Sequence, residues 1–292
     1  MFGPNSHLRY SASVSGSHRD PSAIQCIQNV KSKFSEVFGL EDYDIMFVPG
    51  SGTVGVESVI ASSKLKLHAV GVEGVFRDRW DRAINKYQTS EFKSVDEVSL
   101  YCQLETSCST SQNIYGGIVD AISSFPYFDL PKDSPAFITS TNKLLGSLAG
   151  LAIVGVRTSE WDRLFQVEEE SYLSLARYKR FIDANQTPTT VGTYLFDHLL
   201  EVLEGFELNR QREKIERVSK LLCNEIGEDY VIGDSVGPVI TVNANSIPLS
   251  LAQKWNLYAK TNLGGVYQIF TYSCEEHLYE EFITELKLER RV

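Results

Sequence analysis

Ile45-Met46-Phe47-Val48-Pro49-Gly50-Ser51-Gly52-Thr53-Val54-Gly55-Val56-Glu57-Ser58-Val59-Ile60-Ala61-Ser62 joins a short apolar run to a second apolar stretch through a proline- and glycine-bearing turn. Ile45 to Val48 has the length and side chains of a buried strand, and Val54 to Ser62 reads as a helix. The motif is therefore strand, glycine-rich turn, helix. Ahead of it, Ile24, Ile27, Val30, Phe34 and Val37 recur at close to helical spacing, so a helix over Pro21 to Phe38 leads into the strand. Beyond it, Leu67 to Val72, Val98 to Cys102 and Ile114 to Val119 are further apolar runs, with Ala136 to Ile138 and Ala152 to Val156 as two more candidate strands. Buried strands interspersed with helices define an α/β domain with a mainly parallel sheet flanked by helices.

After Pro188 the texture changes. Val191 to Ile226 is a long amphipathic stretch, expected to break near Gly205, and it leads to a small C-terminal α+β unit with strand candidates at Val239 to Val242 and Val266 to Thr271. The expected division is a large α/β domain over 13–205 and a small domain over 206–292 joined by 1–12. With 292 residues, 42% of them hydrophobic, the chain has material for a sizeable core, and disorder or a disulfide miniprotein is excluded. A formal charge of −10 argues against a general nucleic-acid surface, although a local basic patch is compatible with it. The odd, scattered set Cys26, Cys102, Cys108, Cys223 and Cys274 reads as reduced thiols without zinc spacing. Met1 to Tyr10 has no apolar signal core, and Leu144 to Val156, the longest apolar stretch, is interrupted by glycines and Ser147. These features suit a cytoplasmic protein with no membrane span.

Three segments carry chemistry. Gly50-Ser51-Gly52-Thr53 opening a helix aims backbone N–H groups, two hydroxyls and a positive helix end at one point, which suits a phosphate; the same residues also serve as a plain turn. It has neither the lysine of a P-loop nor dinucleotide-fold spacing. Asp120 closes an apolar run and precedes small residues; it is either a helix cap or a buried carboxylate in need of a cationic partner. Lys143 stands alone between a strand candidate and a glycine-bearing apolar segment, in Ile138-Thr139-Ser140-Thr141-Asn142-Lys143-Leu144-Leu145-Gly146, a setting in which a lysine readily becomes a nucleophile toward an aldehyde.

In this order the three segments resemble the fold type I pyridoxal-phosphate enzymes, in particular the class V aminotransferases typified by 2-aminoethylphosphonate–pyruvate and alanine–glyoxylate aminotransferases. The resemblance runs from Gly3-Pro4 through Ser17-His18-Arg19, Gly50 to Glu57, Gly74 to Arg79, Glu105-Thr106-Ser107, Asp120 to Phe125, Ser140 to Gly150 and Thr187-Pro188 to Gly205. It implies pyridoxal 5'-phosphate as cofactor, held by Lys143 through an aldimine, with Asp120 facing the pyridine nitrogen so that the ring stays protonated and acts as an electron sink. It further implies that Ser51, Gly52 and Thr53 cradle the phosphate with Ser140 as an added contact, that Phe76 stacks on the ring, and that Thr106 meets the ring hydroxyl. Ordinary core packing is the other reading of Phe76. Thr187 matches a threonine that reaches the neighbouring subunit's phosphate, which implies a homodimer. His18 and Arg19 match a segment at the site entrance, with a substrate-binding or a structural role. His7, His68, His198 and His277 have no suggestive partners in sequence and read as surface or core residues, and Arg177 to Arg180 as a solvated helix face.

The chain departs from that family in two ways. It is shorter, with the losses between Tyr87 and Val98 and between Ser107 and Ile114, and the C-terminal arginine that grips a substrate acid corresponds to Gln268 in Tyr267-Gln268-Ile269-Phe270. A neutral amide cannot supply the bidentate clamp of a guanidinium. The leading expectation is an aminotransferase moving an amino group from a small amine or amino acid to an oxo-acid. The alternative is a pyridoxal-phosphate decarboxylase or lyase acting on an amino acid or on an amino-acid adduct of a larger molecule, which the missing clamp favours. A non-catalytic binding protein on the same fold is the third reading, and Lys143 and Asp120 argue against it.

Overall fold

A computed structural model describes residues 17, 19–88, 96–165, 171–184, 186, 190–260 and 265–290. The first half runs α1 (Pro21–Phe38), β1 (Tyr43–Pro49), α2 (Gly52–Ser62), β2 (Lys66–Val70), α3 (Val75–Tyr87) and β3 (Glu97–Cys102). A small hairpin, β4 (Leu104–Glu105) and β5 (Thr110–Ser111), is followed by β6 (Ile118–Asp120), β7 (Ala136–Ser140) and β8 (Leu151–Arg157). Then come α4 (Trp161–Leu164), α5 (Leu175–Asp183), α6 (Tyr194–Glu204) and α7 (Leu208–Ile226). The chain closes with β9 (Val231–Ile232), β10 (Val239–Asn243), α8 (Leu249–Lys254), β11 (Tyr258–Lys260), β12 (Val266–Phe270) and α9 (Glu276–Glu289). No described helix is long and apolar enough to cross a membrane.

The described residues fall into two compact units. One comprises those within Arg9–Gln103 and Gln112–Phe206; the other holds Leu104–Ser111 and the described part of Glu207–Val292. Leu104–Ser111, inside the span expected of the large domain, thus groups with the C-terminal unit.

The larger unit is built on a six-stranded sheet of order β1-β8-β7-β6-β3-β2. β2, β3, β6 and β7 pair in parallel, while β8 runs antiparallel to both β1 and β7, so β1 shares the direction of the parallel set. The central strands β6 and β7 are buried at every position, which explains their continuous apolar runs in sequence. Alternate residues feed two cores. Met46, Val48, Ile118, Ala136, Ile138, Ala152 and Val154 face α2, α3 and α5; Ile45, Phe47, Val119, Phe137, Leu151 and Ile153 face α1 and α6. The strand expected over Ile114 to Val119 is confined to its last residues, because Gly116 and Gly117 both take positive φ just ahead of it.

The expected long helix is two, α6 and α7. Gly205 caps the first, its N–H bonding back to the carbonyls of Glu201 and Leu203. In the smaller unit β10 lies between β9 and β12, and β12 also carries β11, all antiparallel. Val218, Leu222 and Ile226 recur every four residues on α7 and pack with Tyr279, Phe282, Ile283 and Leu286 of α9 over Ile240, Val242 and Ile269. The β4–β5 hairpin is tied in by hydroxyls: Ser109 Oγ meets Thr241 Oγ1 at 2.5 Å, and Ser111 donates through both N and Oγ to Asp234 Oδ2 at 2.7 and 2.5 Å.

Candidate active site

The parallel strands of the larger unit all point their carboxyl ends at one edge, the usual place for a ligand in an α/β sheet. At that edge lie the turn after β1, with Ser51, Gly52 and Thr53; the end of β6, with Asp120; and the end of β7, with Ser140 and the turn that carries Lys143. Asp120 and Ser140 share the α2 face of the sheet, being two residues on from Ile118 and Ile138 respectively.

α2 reaches this edge because two glycines let it lie close. A Cβ on Gly55 would stand 2.8 Å from the Cβ of Ala152 on β8 and 2.9 Å from Cγ2 of Ile138 on β7. A Cβ on Gly52 would stand 2.7 Å from both Cγ1 and Cδ1 of Ile122, two residues past Asp120. The first turn of α2 is thereby pressed against the loop that follows β6. Ser51 sits at the N-cap in an extended conformation, yet its side chain accepts no hydrogen bond from its own helix, leaving that hydroxyl for another group. Thr53 Oγ1 accepts from Arg79 Nη1 at 3.3 Å, which brings a guanidinium to the rim of the turn.

Asp120 is 5% exposed and held by two donors. The indole Nε1 of Trp80 donates to Oδ2 at 2.8 Å, and the backbone N–H of Ile122 donates to Oδ1 at 3.1 Å. The helix-cap reading of Asp120 does not hold, because turns and no helix follow it; the carboxylate closes an Asx-type turn and reaches α3 instead. Phe76 lies one helical turn before Trp80 on α3, partly exposed, with ring centroids 6.4 Å apart and the Arg79 guanidinium 5.7 Å from its ring.

Ser140 is 1% exposed, and its Oγ has no hydrogen-bond partner among the described residues. A buried hydroxyl in that state is costly and would be satisfied by a ligand acceptor. Lys143 is partly buried in the turn over Thr141–Leu145, which Gly146 N closes on the Lys143 carbonyl at 2.9 Å. An unsatisfied hydroxyl, a helix N-terminus with an unused Ser51 hydroxyl, a buried carboxylate and a lysine at one sheet edge fit a group with a phosphate and a basic ring nitrogen.

Thr106 and Gln268 belong to the smaller unit, where Gln268, 1% exposed, donates through Nε2 to the Thr106 carbonyl and to Thr241 Oγ1 at 3.3 Å. That amide is engaged in holding the hairpin to β10 and β12. Arg19 is exposed at the start of α1, its N–H on Ser17 Oγ at 3.2 Å. His18 and Thr187 lie outside the described residues, as do the N-terminal Gly3 and Pro4. Sequence reading does not single out Trp80 or the Arg79 contact with Thr53. A tryptophan in an amphipathic helix looks like core, and only its spacing of four from Phe76 hints at a shared face.

No protein-family model matches the chain, and no curated protein matches it. Among solved structures, a phosphoserine aminotransferase from Cytophaga hutchinsonii is similar at 17% identity and a TM-score of 0.77, over 93% of this chain and 90% of that one. An alanine–glyoxylate aminotransferase from Nostoc sp. gives 15% identity and a TM-score of 0.76 over 94% and 89%. A pyridoxal-phosphate-bound phosphoserine aminotransferase from Trichomonas vaginalis gives 13% and 0.76 over 93% and 90%. At these identities the likeness is one of architecture: the chain has the fold of the fold type I pyridoxal-phosphate aminotransferases.

Proposed function

We propose that the protein is a pyridoxal-phosphate-dependent aminotransferase of the class V type, acting on a small amine or amino acid and an oxo-acid. The observation that carries this reading is the gathering of the Ser51–Thr53 turn, Asp120, Ser140 and Lys143 at one edge of a sheet whose architecture is that of such enzymes. Ser51, Gly52 and Thr53 would bind the phosphate with backbone and hydroxyl donors, supported by the α2 N-terminus and the Ser140 hydroxyl. Asp120 would hold the proton at the ring nitrogen, and Phe76 would cover one ring face. Bound, the cofactor supplies an electron sink for negative charge at the substrate carbon. Lys143 would attach the cofactor and, through Nζ, take a proton from the substrate carbon and return it.

The parts that the resemblance gives Thr106, His18, Arg19 and Thr187 belong to the same proposal, and so does a homodimer completed by Thr187. The purified protein is expected to take up pyridoxal phosphate with a visible absorbance band, and borohydride reduction followed by peptide mapping is expected to fix the label on Lys143. A panel of amines and amino acids should then convert the cofactor to its amine form without release of carbon dioxide. Label on another lysine, or none, rejects the assignment; stoichiometric carbon dioxide rejects the aminotransferase in favour of a decarboxylase.

A further inference from the structure

Trp80 is fully buried on α3, and its single hydrogen-bonding group is spent on Asp120. At 2.8 Å the contact has the length of a charge-assisted bond, and Ile122 N–H engages the other carboxylate oxygen at 3.1 Å. A carboxyl group turns easily about its last torsion, so one donor on each oxygen fixes the plane of a group that would otherwise rotate. Donors also favour the ionised form of a buried carboxylate. Phe76, four residues earlier on the same helix, presents its ring beside Trp80. One face of α3 thus carries both an aromatic surface and the donor that sets the carboxylate.

We propose that Trp80 is a positioning residue: its indole N–H fixes the rotamer of Asp120 before any ligand arrives, so that a protonated aromatic ring nitrogen meets an oriented carboxylate. The inference rests on the functional reading above for the identity of that ligand, and on the Trp80–Asp120 contact for the rest. α3 then does more than pack against the sheet, since it transmits its own position to the end of β6.

The test begins without cofactor. In protein labelled with 15N-tryptophan, the Trp80 indole resonance, assigned with Trp80→Phe, is expected far downfield and to move upfield in Asp120→Asn. The second arm replaces Trp80 with 3-benzothienylalanine, which keeps the ring's shape and loses the N–H. This isostere is expected to fold cooperatively with a lowered melting temperature, since a buried carboxylate loses one donor, to bind pyridoxal phosphate at least roughly tenfold more weakly, and to change the induced circular dichroism of the bound cofactor. A purely structural indole would leave affinity and dichroism untouched. An isostere with wild-type affinity and band, or a Trp80 resonance indifferent to Asp120→Asn, overturns the inference. Wild-type protein that takes up no pyridoxal phosphate ends the functional reading and this one together, whereas failure confined to the isostere arm ends this one alone.

Discussion

Gly155 on β8 faces Phe137 on β7, and the pair offers the sharpest test of how the sheet is packed. A Cβ built on Gly155 falls 2.1 Å from Cε1 of Phe137 and 2.6 Å from Cζ. Ordinary carbon contacts lie at about 3.5–4.0 Å, so the ring must retreat by roughly 1.4 Å. It has nowhere to go. Phe137 is fully buried, with Tyr43 and Phe125 each 5.5 Å away between ring centroids. Tyr43 is tethered through its hydroxyl to the Ser134 carbonyl at 2.6 Å and to Arg157 Nη2 at 2.9 Å. Phe125 packs on Phe38 at 4.8 Å.

Gly155→Ala therefore sits at or above the top of the usual overpacking cost, about 3 kcal/mol. Reduced freedom of the unfolded chain returns about 0.4–1 kcal/mol, leaving a net loss of about 2–3 kcal/mol. At about 2–4 °C per kcal/mol for a unit of this size, the melting temperature should fall by about 4–12 °C. Thermal and urea unfolding followed by circular dichroism measure it, with Phe137→Leu and the double variant closing a cycle. A coupling of about 1 kcal/mol or more in the relieving sense is expected. A Gly155→Ala variant within about 0.5 kcal/mol of wild type, or a strictly additive double variant, refutes the idea that ring and glycine are fitted to each other.

Lys143→Ala should unfold cooperatively like the wild type but take no borohydride label, as peptide mass mapping will reveal. Asp120→Asn leaves one acceptor facing two donors, Trp80 Nε1 and Ile122 N; a stability loss of about 1–3 kcal/mol by urea unfolding, with most activity gone under saturating substrate, is expected. Gln268→Arg buries a guanidinium where Gln268 is 1% exposed, and should cost about 3 kcal/mol or more without strengthening the binding of oxo-acids; a stable variant with tenfold better affinity would contradict this. Cys26 has its thiol pushed up to about 12 from 9.0 by burial and by the Asp197 carboxylate that accepts its hydrogen bond, so about a thousandfold less thiolate is present at pH 8. Iodoacetamide labelling at that pH should leave Cys26 among the slowest cysteines, and labelling at the rate of free glutathione would count against it.

All six strands of the larger sheet were legible as apolar runs, including β2 and β3, whose burial alternates, and the clearest were those buried on both faces. Ile45–Val48 and Ala152–Val156 announce themselves because the sheet is covered by helices on each side, leaving no position for a polar residue. Direction was not legible: nothing in Leu151–Arg157 tells an antiparallel β8 from another parallel strand. The two-residue strands β4, β5 and β9 are too short to show any period. Asp120 and Lys143 stand out because charge is scarce around them, whereas Trp80 does not, since its importance lies in one N–H and not in its large apolar body. Gln268 was read as an empty clamp; its neighbours Thr106 and Thr241 are 162 and 27 residues away in sequence, and only the fold reveals that its amide is occupied.

The hairpin Leu104–Ser111 has a consequence for how the chain is made. It leaves the ribosome long before Thr241, Asp234 and Gln268, whose side chains hold it, and the contacts close loops of 132, 123 and 162 residues. The smaller unit is therefore not a C-terminal appendix that can mature by itself after release. A fragment starting at Glu207 would lack the serines that satisfy Asp234 and Thr241, so cutting the chain at the obvious helix break yields a remnant with open polar sites. Excision needs the hairpin supplied in trans or spliced back through a permuted chain. Closure over such separations is entropically late, which makes the final tying-in of residues 104–111 a step that only the complete polypeptide can take.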